Sequence, residues 1–360
     1  MTGKLRIAVL FGGRSAEHEV SLMSARNVVA ALDRARYEIV PIGIAKDGRW
    51  LLLELENGEL PRTIPAAGTQ VALIPGGKGR AVTIAADGTQ GLLPAVDLIF
   101  PVLHGPFGED GTVQGYAETA DVAYVGCGVA ASAAAMDKVL AKRLLAAEGL
   151  PVARAIALHQ EDAYSGETIL ETLGLPVFVK PARQGSSVGV SRVNSLDGLA
   201  AALEEAFRHD DKVLIEEFVQ AREIECSVLE DAKGRLTVSR PGEIIPAESH
   251  GFYSYDAKYV DAGGAIVNAP ADLAEEVGAR AQEMAERAFR ALACAGMARV
   301  DFFLRPDGSL VINEINTIPG FTNISMYAKA LAADGISYVA AVETLIAHAL
   351  ALRGDGAARA

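Results

Sequence analysis

The chain has 360 residues, half of them hydrophobic and 22% charged, a globular composition with room for two or three domains. A formal net charge of −13 argues against nucleic acid or an anionic membrane as the main partner, while leaving an anionic small ligand open. Three well-separated cysteines, Cys127, Cys226 and Cys294, suggest neither a disulfide framework nor a zinc site, and they fit a reducing cytoplasm.

The first segment, "LRIAVLFGG", has the pattern of a buried strand ending in glycines. "SLMSARNVVAALDR" follows with helical spacing and "YEIVPIGIA" is again strand-like, so the chain opens with a β-α-β unit and a parallel sheet. The N-terminus lacks the apolar run of a signal peptide, and no stretch is long and apolar enough to span a membrane. Residues 46–95 carry short strand-like pieces between Gly and Pro, read as an elaboration of this first unit. "AVDLIFPVLHG" and "VAYVGCG" add two strands.

"SAAAMDKVLAKRLLAAEG" predicts one helix closed by Gly149, with Pro151 just beyond. Strands "LPVFVKP", "VGVSRV" and "KVLIEEFV" around the helix "LDGLAAALEEAFR" make a second, α+β unit. Between its first two strands lies "KPARQGSSVGVSR", Lys180 to Arg192. It fits neither G-x-x-x-x-G-K-[ST] nor G-x-G-x-x-G, but its small residues expose backbone N–H groups that let a phosphate approach. A plain surface loop is the alternative. Beyond Ala221 the pattern predicts a meander, a long helix, a hairpin "MARVDFFLRPDGSLVINEIN" and a final helix with a polar tail.

The hairpin carries the most geometric information. A two-residue turn at Asp307-Gly308 sets Asp301 opposite Glu314 and Arg299 opposite Asn316, all on one face, which Phe303 and Ile312 continue as an apolar patch. Val300, Phe302, Leu304, Val311 and Ile315 then form a core face. Two acids and an amide are hard oxygen donors that suit Mg²⁺ or Mn²⁺. A solvent-exposed Asp–Arg pair is the plain alternative. A three-residue loop starting at Pro306 would shift the register by one and spoil the alignment.

Together and in this order, "GGRSAEHEVSL", "LHGPFGEDGTVQG", "MDK", "VKPARQGSSVGVSRV", "VLIEEFV", "REIECSV", "FYSYDAKYV" and "ARVDFFL…INEINTIPGFTNIS" resemble the D-alanine–D-alanine ligase family of the ATP-grasp superfamily. The resemblance covers essentially the whole chain. It implies an α/β and α+β ATP-grasp fold. A Rossmann-like parallel-sheet domain would span 1–129. A central subdomain, 130–220, and a C-terminal subdomain, 221–360, with an ω-loop and the metal hairpin, would clasp ATP between them.

By the same resemblance, Lys138 and Lys180 contact phosphates, and the serine loop closes over them. Glu216, Glu217 and Val219 belong to the hinge that reads adenine; Glu223 holds the ribose and Phe303 packs on the base. Asp301, Glu314 and Asn316 hold Mg²⁺ or Mn²⁺, with two ions implied. Glu17 takes the ammonium of the first D-alanine, His104 lies near it, and Ser325 contacts the carboxylate of the second. Arg299 and the N–H of Gly320 stabilise the oxyanion. Ser186 and Tyr259 link the serine loop to the ω-loop, and Lys258 of that loop approaches the phosphates. The implied reaction makes D-alanyl-D-alanine through a D-alanyl phosphate, for peptidoglycan precursor synthesis. A cytoplasmic homodimer is expected, with ATP and D-alanine as its small-molecule partners.

Three other readings compete. D-lactate as acceptor is disfavoured by "YDAKY", because depsipeptide-forming relatives replace this loop. Another carboxylate–amine ligase is disfavoured by "AEHEVS" with "HGPFGEDG", which belong to the amino-acid pocket. A non-catalytic nucleotide sensor would lack one of Lys180, Arg299, Asp301 or Glu314, and all four are present.

Overall fold

Three sheets follow one another along the chain in this computed structural model, which describes residues 3–246, 265–322 and 324–357. The first contains β1 (Leu5–Gly12), β2 (Tyr37–Ile44), β3 (Trp50–Leu52), β4 (Gln70–Leu73), β5 (Ala81–Ile84), β6 (Gln90–Leu93), β7 (Leu98–Val102) and β8 (Ala123–Tyr124). Their order is β6-β5-β4-β3-β2-β1-β7-β8. Strands β2, β1, β7 and β8 are parallel, and the pieces within 46–95 extend the sheet as antiparallel strands. Helix α1 (His18–Ala31) joins β1 to β2, and α2 (Thr112–Thr119) precedes β8.

From Ile7 to Phe11, β1 is an unbroken apolar run because both its faces are buried there. Ile7, Val9 and Phe11 point into a core shared with α1, while Ala8 and Leu10 point into the core on the other side with α2. The first of these cores also receives Val342, Leu345 and Ile346 from the last helix, so the end of the chain returns to cover its beginning.

Next come helices α3 (Val129–Met136) and α4 (Lys138–Ala147), where one continuous helix was expected. Asp137 breaks it: its backbone is extended, and its carboxylate accepts from the N–H groups of Val139 and Leu140, both at 3.1 Å. An aspartate that caps the next turn competes with helix continuation. Alanine-rich periodicity on both sides hides the break. The second sheet holds β9 (Ala155–His159), β10 (Val177–Pro181), β11 (Ser191–Val193) and β12 (Lys212–Glu217), in antiparallel order β11-β10-β12-β9. Helices α5 (Gly166–Leu173) and α6 (Leu196–Phe207) cover one face.

The third sheet holds β13 (Arg222–Glu230), β14 (Leu236–Val238), β15 (Gly242–Pro246), β16 (Ala265–Asn268), β17 (Met297–Leu304) and β18 (Leu310–Asn316). The order is β16-β15-β13-β17-β18, with β14 pairing the far end of β13. Helix α7 (Glu275–Ala291) precedes β17, and α8 (Met326–Ala333) and α9 (Tyr338–Ala357) follow β18. One face of this sheet packs Ile224, Cys226, Val300, Phe302 and Ile315 against α7 and against Ala141 and Leu145 of α4. Truncating Phe302 there would cost about 3–5 kcal/mol. Among the described residues no single helix is long and apolar enough to cross a membrane.

The hairpin corrects one expectation and rescues another. Its loop does span three residues, Pro306 to Gly308, with Arg305 and Ser309 closing the ladder. Near the turn Phe303 therefore faces Val311 and Phe302 faces Ile312. A bulge at Asn313 then absorbs the extra residue, so Asp301 still faces Glu314 and Arg299 still faces Asn316. Without the bulge Glu314 would oppose Val300 on the core face. Ile312 does not continue the polar face as expected: it is fully buried beside Phe302 in the core, and Val311 takes its place opposite Phe303.

Candidate active site

Glu17 sits at the start of α1, where the chain leaves β1. Its carboxylate accepts a short hydrogen bond from the hydroxyl of Ser186, which comes from the second unit. Two glycines make room for it. A Cβ on Gly105 would lie 2.8 Å from Oε2 of Glu17, and one on Gly185 would lie 2.9 Å from the same oxygen. Gly105 also has a φ of +72°, a conformation that disfavours side chains.

His104 ends the strand-to-loop turn after β7. Its Nδ1 is 3.1 Å from the carbonyl of Ile318, so Nδ1 carries the proton and donates it. Nε2 then accepts from Ser24 Oγ at 3.3 Å, and that oxygen accepts from the N–H of Phe321 at 3.3 Å. Burial pushes the pKa of His104 down against the pull of Glu17, which keeps the ring neutral. Glu109, which the sequence reading left without a role, accepts from Gly105 N–H at 2.7 Å and Ile318 N–H at 3.2 Å. Burial, reinforced by the charge of Glu17, lifts its carboxyl to about 8. Three residues of the first unit thus pin the 318–321 loop that carries Gly320. Ser325 lies on that loop's far side, bonded to Thr322 through N–H and hydroxyl at 3.1 and 2.7 Å.

The serine loop is held by charge and backbone. Lys138 stands at the first position of α4 because Asp137 breaks the helix there. Its Nζ donates to the Gln184 carbonyl at 2.5 Å, and its N–H donates to Ala182 at 3.0 Å. Lys138 is therefore not a solvated helix lysine. Ser186 and Ser187 have φ of +49° and +59°, unusual values for residues with side chains and a mark of an imposed backbone path. At the loop's base, Lys180 Nζ donates to Oε2 of Glu216 at 3.2 Å, and Lys142 approaches the other oxygen at 3.5 Å. Burial raises the pKa of Glu216, but the two ammonium groups outweigh it and bring the pKa below the ordinary value.

On the third sheet, Arg299 donates from Nε and Nη2 to the two oxygens of Asp301, each at 2.7 Å, and ion-pairs with Glu225 at 2.8 Å. Burial lowers its pKa, yet these carboxylates hold it well above the ordinary arginine value. Glu225 was missed by the sequence reading. The strand alternation of "REIECSV" offered a signal, because Glu225 is the Cα partner of Asp301 on β17. Asn316 donates to Oδ2 of Asp301 at 3.0 Å.

Many of these groups line one cavity of about 610 Å³, while Lys180, Lys142 and Glu216 are not among its lining residues. Glu17, His104 and Glu109 reach it from the first unit, Lys138 and Ser186 from the second, and Arg299, Glu314, Asn316, Gly320 and Ser325 from the third. Asp301 lies behind Arg299. Phe303 is partly exposed on the same sheet face, the Cα partner of Glu223. Glu217 ends β12, and its carboxylate accepts from Arg154 Nε at 2.6 Å; Val219 follows it, partly buried. Lys258 and Tyr259 lie outside the described residues, as does the rest of "FYSYDAKYV".

Asp301, Glu314 and Asn316 offer two carboxylates and an amide carbonyl on one face, as the hairpin reading required. Among the described residues no three His, Cys, Asp or Glu side chains converge to hold an ion alone. A hard cation that completes its shell with water and phosphate oxygens fits such a donor set.

The model described as "D-ala D-ala ligase N-terminus" matches residues 6–127, and "D-ala D-ala ligase C-terminus" matches 144–347. The chain belongs to the D-alanine–D-alanine ligase family. It is 62% identical to D-alanine--D-alanine ligase A of Mesorhizobium japonicum over 98% of this chain and 99% of that protein. It is 53% identical to the enzyme of the same name from Brucella suis, over 97% and 99%. Among solved structures, the D-alanine-D-alanine ligase from Coxiella burnetii superposes with a TM-score of 0.85 at 35% identity, covering 99% and 97% of the two chains. The VanG D-Ala:D-Ser ligase from Enterococcus faecalis gives 0.80 at 35% identity, covering 96% and 99%. The fold of this family member is the ATP-grasp fold.

Proposed function

We propose that this chain joins two D-alanines at the expense of ATP, giving D-alanyl-D-alanine, ADP and phosphate. The observation that carries the reading is the Ser186–Glu17 contact in a cavity that Arg299 also lines, in a member of this family; it supports an amino-acid pocket and a phosphate loop that share one site. ATP lies between the second and third sheets. Lys138 and Lys180 take its phosphates, Glu216, Glu217 and Val219 read adenine, Glu223 holds the ribose, and Phe303 packs on the base.

The carboxylate of the first D-alanine attacks the γ-phosphorus, and the bond to ADP breaks. Glu17 holds that amino acid by its ammonium, and neutral His104 sits beside it without adding charge. The amine of the second D-alanine then attacks the acyl phosphate carbonyl. Arg299 and the Gly320 N–H face the developing oxyanion, where a fixed donor contributes roughly 3–4 kcal/mol. The C–O bond to phosphate breaks as the C–N bond forms, and the amine's proton leaves on the departing phosphate. Ser325 takes the second carboxylate. The Ser186–Glu17 contact closes the pocket from the serine loop, and Tyr259 and Lys258 are assigned to the loop that completes it; excluding water protects the acyl phosphate.

Asp301, Glu314 and Asn316 would hold one or two Mg²⁺ or Mn²⁺ ions, which supply charge neutralisation for the polyphosphate when bound. The dipeptide serves as a peptidoglycan precursor, and the enzyme acts as a cytoplasmic homodimer.

The test is to supply ATP, Mg²⁺ and D-alanine and to measure phosphate and dipeptide together. L-alanine, D-lactate and D-serine serve as acceptor controls. Stoichiometric phosphate and D-alanyl-D-alanine support the reading. Phosphate release without dipeptide removes the acceptor assignment, and no phosphate at all removes the reaction.

A further inference from the structure

Lys142 is a buried lysine that the reaction as described does not use. It lies one turn beyond Lys138 on α4, with only 7% of its surface exposed. Its neighbours on the buried side of that helix, Val139, Ala141 and Leu145, are apolar. Burial lowers its pKa, as expected of an ammonium away from water. Its nitrogen sits 3.5 Å from Oε1 of Glu216, and among the described residues it has no hydrogen-bond partner. An apolar side chain would pack more cheaply at such a position, so the retained charge calls for a reason.

Glu216 supplies it. This carboxylate is 2% exposed and lies between two ammonium groups, Lys180 on the strand side and Lys142 on the helix side. Lys180 has a second task in the proposed function, because a polyphosphate would draw it off the carboxylate. Glu216 would then be left as a buried charge without compensation, unless another cation stayed behind. Lys142 is the group placed to stay, being fixed on a helix whose other residues pack into two cores.

We propose that Lys142 is a positioning residue for the nucleotide: it compensates and anchors Glu216 at the adenine edge, so that Lys180 can leave the carboxylate for the phosphates. This rests on the ATP reading of the site. It predicts that the effect of Lys142 is confined to nucleotide affinity and passes through Glu216.

The experiment compares wild type, Lys142→Met, Lys142→Arg, Glu216→Gln and the Lys142→Met/Glu216→Gln double variant. Phosphate release is measured with ATP and D-alanine varied separately. The expected result is a KM for ATP raised about tenfold in Lys142→Met, with the KM for D-alanine and kcat changed by less than about threefold. Lys142→Arg should recover most of the loss. In the Glu216→Gln background, Lys142→Met should add less than about twofold, because the coupled partner is gone. Melting temperatures with and without ATP keep the test valid if the methionine variant is less stable: its nucleotide-induced shift should shrink, and that of the arginine variant should not. An unchanged ATP KM, a loss falling equally on both substrates, or additive effects in the double variant overturns the proposal. Wild type with no ATP-dependent phosphate release overturns the ATP reading itself, a distinct outcome.

Discussion

The hydroxyl of Ser186 donates to the carboxylate of Glu17, 169 residues earlier in the chain. This contact joins the serine loop of the second unit to the start of α1 in the first, the two elements to which the proposed function gives phosphate and amino acid. It explains why Gly185 lacks a side chain and why the loop adopts left-handed backbone at Ser186 and Ser187.

Replacing Ser186 with Ala removes the hydroxyl that donates to Glu17. The kcat/KM for dipeptide formation should fall about 10- to 100-fold, roughly 1–3 kcal/mol of transition-state stabilisation. Melting temperature should move by no more than about 2 °C. Steady-state kinetics beside a thermal melt would decide it, and undiminished activity would rule out a working role for the contact.

Gly105→Ala places a methyl group 2.8 Å from Oε2 of Glu17 on a backbone with φ of +72°. The backbone alone costs about 1–2 kcal/mol. The carboxylate must also shift, so the KM for D-alanine should rise more than the KM for ATP. Equal changes in both constants would contradict the placement of Glu17 in the amino-acid pocket.

Glu109 shows a pH effect with a definite sign. Its carboxyl is raised from an ordinary 4.5 to about 8 by burial and by Glu17. The folded state therefore holds this proton more tightly than the unfolded chain does. The stability it contributes is fully present below pH 4.5 and is lost as the pH rises through about 8. Glu109→Gln should flatten the fall in melting temperature between those values. Parallel Tm–pH curves for wild type and variant would show that Glu109 does not titrate in this way.

Glu314→Gln removes one ligand charge from the proposed ion site and leaves the hairpin's shape intact. Dipeptide formation should drop at least about 100-fold, with a melting temperature close to wild type. A titration of activity against Mg²⁺ checks it: a fully active variant with an unshifted Mg²⁺ dependence would remove Glu314 from the site.

Much of the hairpin was legible because β alternation is local. Asp307-Gly308 marks the turn, and charges at 299, 301, 314 and 316 recur with period two. The bulge was not legible. Pro306 already offered the three-residue loop as an alternative, but the extra Asn313 that cancels it depends on how β17 and β18 pack, not on residue type. The face of Ile312 was misjudged for that reason. The break at Asp137 was hidden in the same way, since alanine favours helix on either side of it.

Taken alone, the sequence determined the buried β1, the β-α-β start, the glycine-serine loop and the acids of the hairpin. Each of these is written in short-range pattern: apolar period, turn residues, small residues where backbone must be exposed. Tertiary structure alone decided that Ser186 meets Glu17, that Glu225 stands beside Arg299, that Glu109 pins Ile318, and that Lys142 faces Glu216. Periodicity reports which face of an element is buried, but not which remote segment covers it. The Ser186–Glu17 and Glu109–Ile318 pairs form only when separate units meet at the cavity, while Arg299–Glu225 needs β13 and β17 in register and Lys142–Glu216 needs α4 packed on β12.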